Sequence, residues 1–302
     1  MTDAIGQQKR REEAIDQEVT AVEEEAEEES VEQATRLSSR LIYEVIRRDG
    51  EEELQRPTVS LVWSGIAAGL LISFSLIGEA VFRSHVPEGG TRFLVENLGY
   101  AFGFVLVISG RMQLFTENTI TTVLPLMARF RRESLLQTTR LWSIVLLANV
   151  VGAFIAATFI AYAGSLSEDM LLAIRELSVH AVNMEPGEAV ARAVPAGVLI
   201  AALVWMMPTV PNNNFWVIVA FAWLIAAGDF AHIVVGSVEM AYLIVTGELS
   251  LLQGFGGFFL PVLVGNVIGG TAIFTMLAYG QVMRELGERG RAGRRFRRIS
   301  PF

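Results

Sequence analysis

Residues 149–152 read Asn149-Val150-Val151-Gly152, and residues 266–269 read Asn266-Val267-Ile268-Gly269. Beyond the first copy lie Thr158, Ala161 and Tyr162; beyond the second lie Thr275, Ala278 and Tyr279, every pair 117 residues apart. Both copies sit in long apolar stretches. A repeat inside membrane-spanning sequence predicts two half-domains about a pseudo-twofold axis, with a substrate path at their interface.

Composition places the chain in a bilayer. Of its 302 residues 52% are hydrophobic, and its 24 basic and 32 acidic side chains crowd into residues 1–56, the connections and the tail after Met283. What remains is a series of mostly apolar runs of about 20 residues, the length that crosses a hydrocarbon core about 30 Å thick. The long polar stretch before the first run does not read as a cleavable signal. There is no cysteine, which excludes disulfides and thiolate chemistry. The net charge of −8 comes mostly from the glutamate-rich N-terminus.

Four segments are predicted. Residues 1–33, with the run Glu23-Glu24-Glu25-Ala26-Glu27-Glu28-Glu29, form an acidic disordered tail that self-repels and buries little. Over 34–56, Ala34, Leu37, Leu41, Ile42 and Val45 recur at helical spacing between Arg36, Arg40, Arg47 and Arg48. That pattern predicts an amphipathic juxtamembrane helix on an anionic membrane face. Residues 57–284 are a six-span pore domain, and residues 285–302 an Arg-rich cytoplasmic tail.

The spans run over 58–82, 97–128, 140–164, 192–208, 214–246 and 257–283. The second and fifth are too long for one straight crossing. Each is interrupted at mid-membrane depth, by Ser109-Gly110-Arg111 before Leu114-Phe115-Thr116-Glu117 in one, and by Gly228-Asp229 before His232 in the other. Irregular backbone survives there only where it lines a cavity or is packed in protein, so both spans are expected to be broken helices. Arginines concentrate at the N-terminal side, after the second span and in the tail, which by the positive-inside rule makes both termini cytoplasmic. Three spans per repeat is an odd number, so the second repeat is inverted relative to the first. The fold class expected is an all-α membrane protein of six transmembrane helices, two inverted three-helix repeats with broken second and fifth helices that make a pore or carrier.

Thr116 and His232 occupy nearly matched positions in the two breaks. A hydroxyl and a neutral imidazole can each give a hydrogen bond to a small anion without burying a full charge, and histidine can also exchange a proton near neutral pH. Leu114 and Phe115 would form an apolar collar beside Thr116, and Tyr100 and Phe104, four apart, a second one. Holding a small carboxylate neutral at pH 7 costs about 4 kcal/mol from a reference pKa near 4. Carrying the bare anion through a dry constriction costs more, which makes protonation on the way, with His232 as donor or relay, the cheaper route. Charged groups also sit at the breaks or near them: Arg111, Glu117, Asp229 and Glu239, with Glu79 near the end of the first span. Intramembrane charges usually pair or line water, so Arg111 is expected to pair with Glu117 or Asp229, and Glu117 remains open to a place in the path. Asn149 and Asn266 are expected to brace the broken helices. No nucleophile–base pair, metal cluster or phosphate loop is evident, so no enzymatic activity, cofactor, metal or nucleic-acid partner is expected.

These residues resemble the formate/nitrite transporter family over residues 40–284. Leu114-Phe115-Thr116 is similar to the family's Leu-Phe-Thr, Gly265-Asn266-Val267-Ile268-Gly269-Gly270 and Asn149-Val150-Val151-Gly152 match its third- and sixth-span motifs, and Gly228 with His232 matches its fifth-span glycine and central histidine. The resemblance implies an aquaporin-like six-helix protomer assembled as a homopentamer, with one pore per protomer for small monovalent anions such as formate or nitrite, often moved with a proton; the location expected is the inner membrane. It puts the family's Thr and His at Thr116 and His232 and its constriction at Leu114 and Phe115. The chain also departs from the family. Glu117 stands where a small residue is usual, Ala231 precedes the histidine where a Glu is usual, and the fourth-span motif reads Arg192-Ala193-Val194-Pro195-Ala196-Gly197 without its asparagine. The family's outer-vestibule lysine has no clear equivalent. Two rival readings are a channel for small neutral solutes, as in aquaporins, and a non-transporting membrane scaffold that recruits partners through its acidic tail. Against the first, there is no Asn-Pro-Ala pair.

Overall fold

At mid-membrane there is no water to hydrogen-bond a free backbone, and a helix satisfies its own peptide groups within one segment. The computed structural model describes residues 37–210 and 213–283, and every regular element among them is helical. The acidic segment over 1–33, the Arg-rich tail over 285–302, Pro211 and Asn212 lie outside the described residues.

The elements in chain order are α1 (Ser39–Gln55), α2 (Thr58–His85), α3 (Gly90–Ser109), α4 (Phe115–Thr121), α5 (Val123–Ala128) and α6 (Arg132–Tyr162). After them come α7 (Glu168–Val182), α8 (Pro186–Met206), α9 (Asn214–Ala227), α10 (Ile233–Val245) and α11 (Gln253–Met283). Six spans result: α2, the broken pair α3 with α4–α5, α6, α8, the broken pair α9 with α10, and α11. They form two inverted three-helix repeats in an aquaporin-like arrangement, and the described residues from Ser39 to Met283 cluster as one unit. Large apolar side chains such as Trp63, Leu147, Phe159 and Leu277 are exposed on its outside, as expected where the surrounding solvent is hydrocarbon.

Within each repeat the first and third spans lie against each other, α2 along α6 and α8 along α11. The repeated Gly is the reason they can. A Cβ on Gly152 would lie 2.3 Å from the carbonyl oxygen of Ile66, and one on Gly269 would lie 2.1 Å from that of Val194. Small residues at these crossings let two backbones approach, which is what drives helix association in lipid. The broken spans then cross between repeats: α4 packs on α8, and α10 on α6.

Three features differ from the sequence expectations. First, α1 begins at Ser39, and the face it buries carries Ile42, Tyr43, Ile46, Gly50 and Leu54, while Leu41 and Val45 are exposed. Ile42, Tyr43 and Ile46 pack with Ile120 and Leu124 of the broken span, with Ala201 and with Val282, so the buried face is covered by protein rather than lipid headgroups. Its polar face is tied by Arg47, which bridges Glu44 at 2.8 Å and Glu51 at 2.5 Å. The Arg47 hydrogen bond holds the Glu44 carboxyl down at about 2. Second, residues 163–191 contain a full helix. Ser167 caps α7 by accepting from the Met170 N–H, and Ala173, Ile174, Leu177 and Ser178 bury one face against α2 and α10. Charges at Glu168, Asp169, Arg175 and Glu176 keep this helix from scoring as a span. Third, α11 is wound as a π-helix over Gln253–Phe259 and Ile268–Thr275, whereas its repeat partner α6 is α-helical throughout.

Gly269→Ala should lower the melting temperature of the detergent-solubilised protein, since overpacking of this kind costs about 1–3 kcal/mol. Gly187→Ala, where a Cβ meets nothing within 4 Å, should leave it unchanged or slightly raised. Equal melting temperatures for the two variants would contradict close packing at the repeated Gly.

Candidate functional site

A break in a buried helix strands backbone donors and acceptors, and a buried unpaired amide or carbonyl costs about 1–3 kcal/mol. Here one asparagine per repeat meets them. Asn149 Oδ1 accepts from the Phe115 N–H at 2.9 Å, and its Nδ2 donates to the carbonyls of Gln113 at 2.8 Å and Gly65 at 2.9 Å. Asn266 Oδ1 accepts from the Ile233 N–H at 2.8 Å, and its Nδ2 donates to the carbonyls of Ala231 at 2.9 Å and Ala193 at 2.8 Å. The same three bonds are made twice, each tying a break to the neighbouring first span of its repeat. An amide is the only uncharged side chain that accepts once and donates twice in this way.

The helix is interrupted just before these anchor points. Gly110 and Gly228 cap α3 and α9 with ordinary right-handed φ values of −76° and −83°. The left-handed residues are the next ones, Arg111 at φ 50° and Asp229 at φ 53°. A left-handed non-glycine residue costs about 1–2 kcal/mol, and at Asp229 side-chain bonds oppose that cost. Its carboxylate forms an ion pair with Arg192 and accepts from His180 Nε2 at 3.1 Å. The glycines are needed for space: a Cβ on Gly228 would lie 2.5 Å from the Phe230 ring, and one on Gly110 would lie 2.6 Å from the Leu106 carbonyl oxygen.

This geometry corrects the expected charge pairing. Arg111 is exposed and makes no ion pair with Glu117 or Asp229. The inverted repeats place the two breaks toward opposite ends, and Arg111 lines a cavity with Asp49, Ser109 and Pro208 that Asp229 does not reach. Glu117 is half-buried, and its carboxylate has no hydrogen bond or ion pair among the described residues; its backbone N–H donates to the Leu114 carbonyl and its own carbonyl accepts from Thr121.

Beyond the breaks the two half-helices meet. Thr116 lies in the first turn of α4 and His232 is the N-cap of α10, and Thr116 Oγ1 is 2.8 Å from His232 Nε2. The Val235 N–H donates to His232 Nδ1 at 3.4 Å. With Nδ1 accepting, a neutral imidazole carries its proton on Nε2, directed at Thr116. The Thr116 hydroxyl proton then has no acceptor among the described residues. Phe104 stacks edge-on against the imidazole at 4.9 Å, and Tyr100, one turn earlier, lies 5.4 Å from Phe104. Leu114 and Phe115 are 1% exposed, and the Phe115 ring packs edge-on against Trp142 at 5.5 Å.

A cavity of about 430 Å³ ends against this centre. His232 and Tyr100 line it, together with Glu79, Glu239 and Asp229; Thr116, Leu114, Phe115 and Phe104 do not. Among the described residues no group of His, Asp and Glu side chains is placed to hold a metal.

Several site residues were not evident from sequence. Trp142 Nε1 donates to the Asn118 carbonyl and to Thr122 Oγ1, fixing the far side of α4. Gln113 donates to Glu53 of α1 at 2.6 Å and accepts from Asn118 at 3.3 Å. Thr119 Oγ1 donates to the Thr116 carbonyl at 2.7 Å. None belongs to the repeat; the partners of Trp142 and the Glu53 partner of Gln113 are distant in sequence, and Thr119 bonds within its own helical turn.

Asn149→Ala and Asn266→Ala each leave two backbone groups of a break unpaired, the Phe115 N–H and Gln113 carbonyl in one and the Ile233 N–H and Ala231 carbonyl in the other. At about 1–3 kcal/mol per group, both variants should lose stability by comparable amounts, measured as melting temperature in detergent. A loss confined to one would show that the two breaks do not depend equally on their asparagines.

With the geometry in place, comparison with known proteins is informative. The family model described as formate/nitrite transporter matches residues 40–280. The inner membrane protein YfdC of Escherichia coli K12 is 42% identical over 259 residues, covering 85% of this chain and 84% of that protein. Among solved structures, a channel described as an FNT family ion channel aligns with a TM-score of 0.70 at 18% identity, covering 80% of this chain and 98% of that one. A pentameric formate channel with formate bound aligns with a TM-score of 0.66 at 19% identity, covering 75% of this chain and 97% of that one. The chain therefore belongs to the formate/nitrite transporter family.

Proposed function

We propose that this protein is a channel or transporter for small monovalent anions or their protonated weak acids, and that its path runs past Tyr100, Phe104, Thr116 and His232. The observation that carries the reading is the 2.8 Å contact between Thr116 Oγ1 and His232 Nε2, made between two half-helices at the end of a cavity that His232 lines. A carboxylate arriving there can take the Thr116 hydroxyl proton and the Nε2–H as two hydrogen-bond donors. Neither group carries a fixed charge, so neither holds the anion tightly enough to stop release. Leu114 and Phe115 on the far side favour the neutral form, whose hold at pH 7 costs a small carboxylic acid about 4 kcal/mol. Glu117, just past Thr116, meets the solute after the centre.

The remaining readings follow from relatives and sequence pattern. YfdC is an inner membrane protein by name, and the same location suits this chain, with both termini cytoplasmic by the distribution of its arginines. The cavity beside His232 then faces outward. The formate-bound structural neighbour is a pentamer, and we assign this chain the same assembly, with one path per protomer.

Proteoliposomes of the purified protein should take up labelled formate faster as external pH falls. Thr116→Ala and His232→Ala should each lower uptake about ten-fold or more, since a hydrogen bond to a charged partner is worth about 1.5–3 kcal/mol. Thr116→Ser should retain most of it, and His232→Ala should also change the pH dependence. Wild-type vesicles that pass water or glycerol but no small carboxylate would favour a neutral-solute channel. Full carboxylate flux in the His232→Ala variant at every pH would remove His232 from the path.

A further inference from the structure

Most charged groups around the cavity beside His232 are matched. Glu96 takes Arg83 at 2.9 Å, and Arg83 also reaches Glu176 of α7 at 3.1 Å. Asp229 is held by Arg192 and by His180, and Arg92 is shared between Glu88 and Glu96. His232 is engaged at both ring nitrogens.

Two carboxyl groups are left over. Glu79 of α2 and Glu239 of α10 are 6% and 8% exposed and line this cavity. Neither has an ion pair or a side-chain hydrogen bond among the described residues, because the cations packed near them are already committed to other acids. Tyr100, 6% exposed and lining the same cavity, is likewise without a hydrogen-bond partner for its hydroxyl. Three buried polar side chains from three helices therefore face one space with nothing bound to them.

His232, Gly236 and Glu239 follow at i, i+4 and i+7, which sets them on one face of α10, and all three line the cavity. Gly236 keeps that face clear: a Cβ there would lie 3.8 Å from Glu239 Oε2 and would collide with the Phe258 ring at 2.6 Å. A carboxyl therefore stands on the approach to the imidazole, where the family's chemistry as proposed above would have the solute pass.

We propose that Glu79 and Glu239 are a proton-loading pair that lets a weak acid reach His232 only together with a proton. The inference rests on the transport reading above. An ionised pair repels a bare anion across a cavity with no free cation to offset it. A protonated member donates its O–H to a carboxylate oxygen of the incoming anion. The O–H bond to glutamate breaks as the one to the substrate forms, leaving the neutral acid and a glutamate carboxylate. That carboxylate is reprotonated by a hydronium proton from the outside solution, relayed through water entering the cavity, and the unpartnered Tyr100 hydroxyl is available to donate to an ionised oxygen there. The neutral acid then passes on to the two donors at Thr116 and His232. A divalent cation is a poorer occupant, since no third ligand completes a site.

The test uses the full chain in proteoliposomes with an entrapped pH dye, labelled formate and imposed potassium diffusion potentials. Wild-type uptake should carry one proton per formate, rise as external pH falls and ignore the membrane potential. Glu79→Gln/Glu239→Gln, which keeps shape and removes the titratable group, should show a flat pH profile and uptake accelerated several-fold by an inward-positive potential. A double variant with the wild-type profile and no response to potential would overturn the proposal while leaving the transport reading intact. Wild-type vesicles that take up no small carboxylate would overturn both. A second measurement does not depend on the variants assembling. The infrared band of a protonated carboxyl should be present in the wild-type protein and change when formate is added. A band absent across the pH range would also overturn the proposal.

Discussion

The structure depends on how two interrupted helices keep their peptide groups paired where no water can serve them. Asn149 and Asn266 do this with the same pattern, one accepted and two donated bonds, and the pattern explains why an amide stands at each place. A serine or aspartate could meet only part of it. Because each asparagine sits three residues before the Gly that lets its own span lie against the first span of the repeat, bracing and packing come from one short motif. The crossing at Gly152 puts Asn149 within reach of Gly65 and Gln113 together, and the crossing at Gly269 does the same for Asn266 with Ala193 and Ala231.

From that constraint the centre follows. Fixing the N–H groups of Phe115 and Ile233 fixes the start of α4 and α10, and Thr116 and His232 lie within one residue of those anchors. Their 2.8 Å contact is thus set by four backbone-to-asparagine bonds nearby and by the two helix crossings behind them. The left-handed residues Arg111 and Asp229 are part of the same device, since each follows the end of one half-helix just before the anchored start of the next.

Much of this was legible in the sequence because repetition in the chain reflects repetition in space. The spacing of 117 residues between Asn149 and Asn266, the odd number of spans per copy, and glycine with polar residues at two matched depths gave inverted repeats and broken helices without coordinates. The signals that failed were those with no periodicity. The α7 helix carries charges at one end and buries only a narrow face, so it reads as a connection. The apolar face of α1 was visible, but whether protein or lipid covers it depends on where Ile120 and Leu124 come to lie. Arg111 and Asp229 do not pair, although both belong to matched breaks, because they line different cavities of the folded chain.

Symmetry builds the route and its violations give the route a direction. Thr116 faces His232 rather than a second threonine, so the two donors differ in strength and in whether they can exchange a proton. The π-helical turns of α11 have no counterpart in α6, and they bring Thr271 and Thr275 to the Thr119 carbonyl, stiffening only the α4 side of the centre. The unmatched acids are also unequal: Glu79 and Glu239 share a cavity on the His232 side, whereas Glu117 stands alone beyond Thr116. Along the proposed path a solute therefore meets carboxyl groups on both sides of an uncharged pair of donors. For a route built to attract anions that order is unfavourable; for one that moves a weak acid and its proton together, it places a proton acceptor on each side of the step where charge is least tolerated.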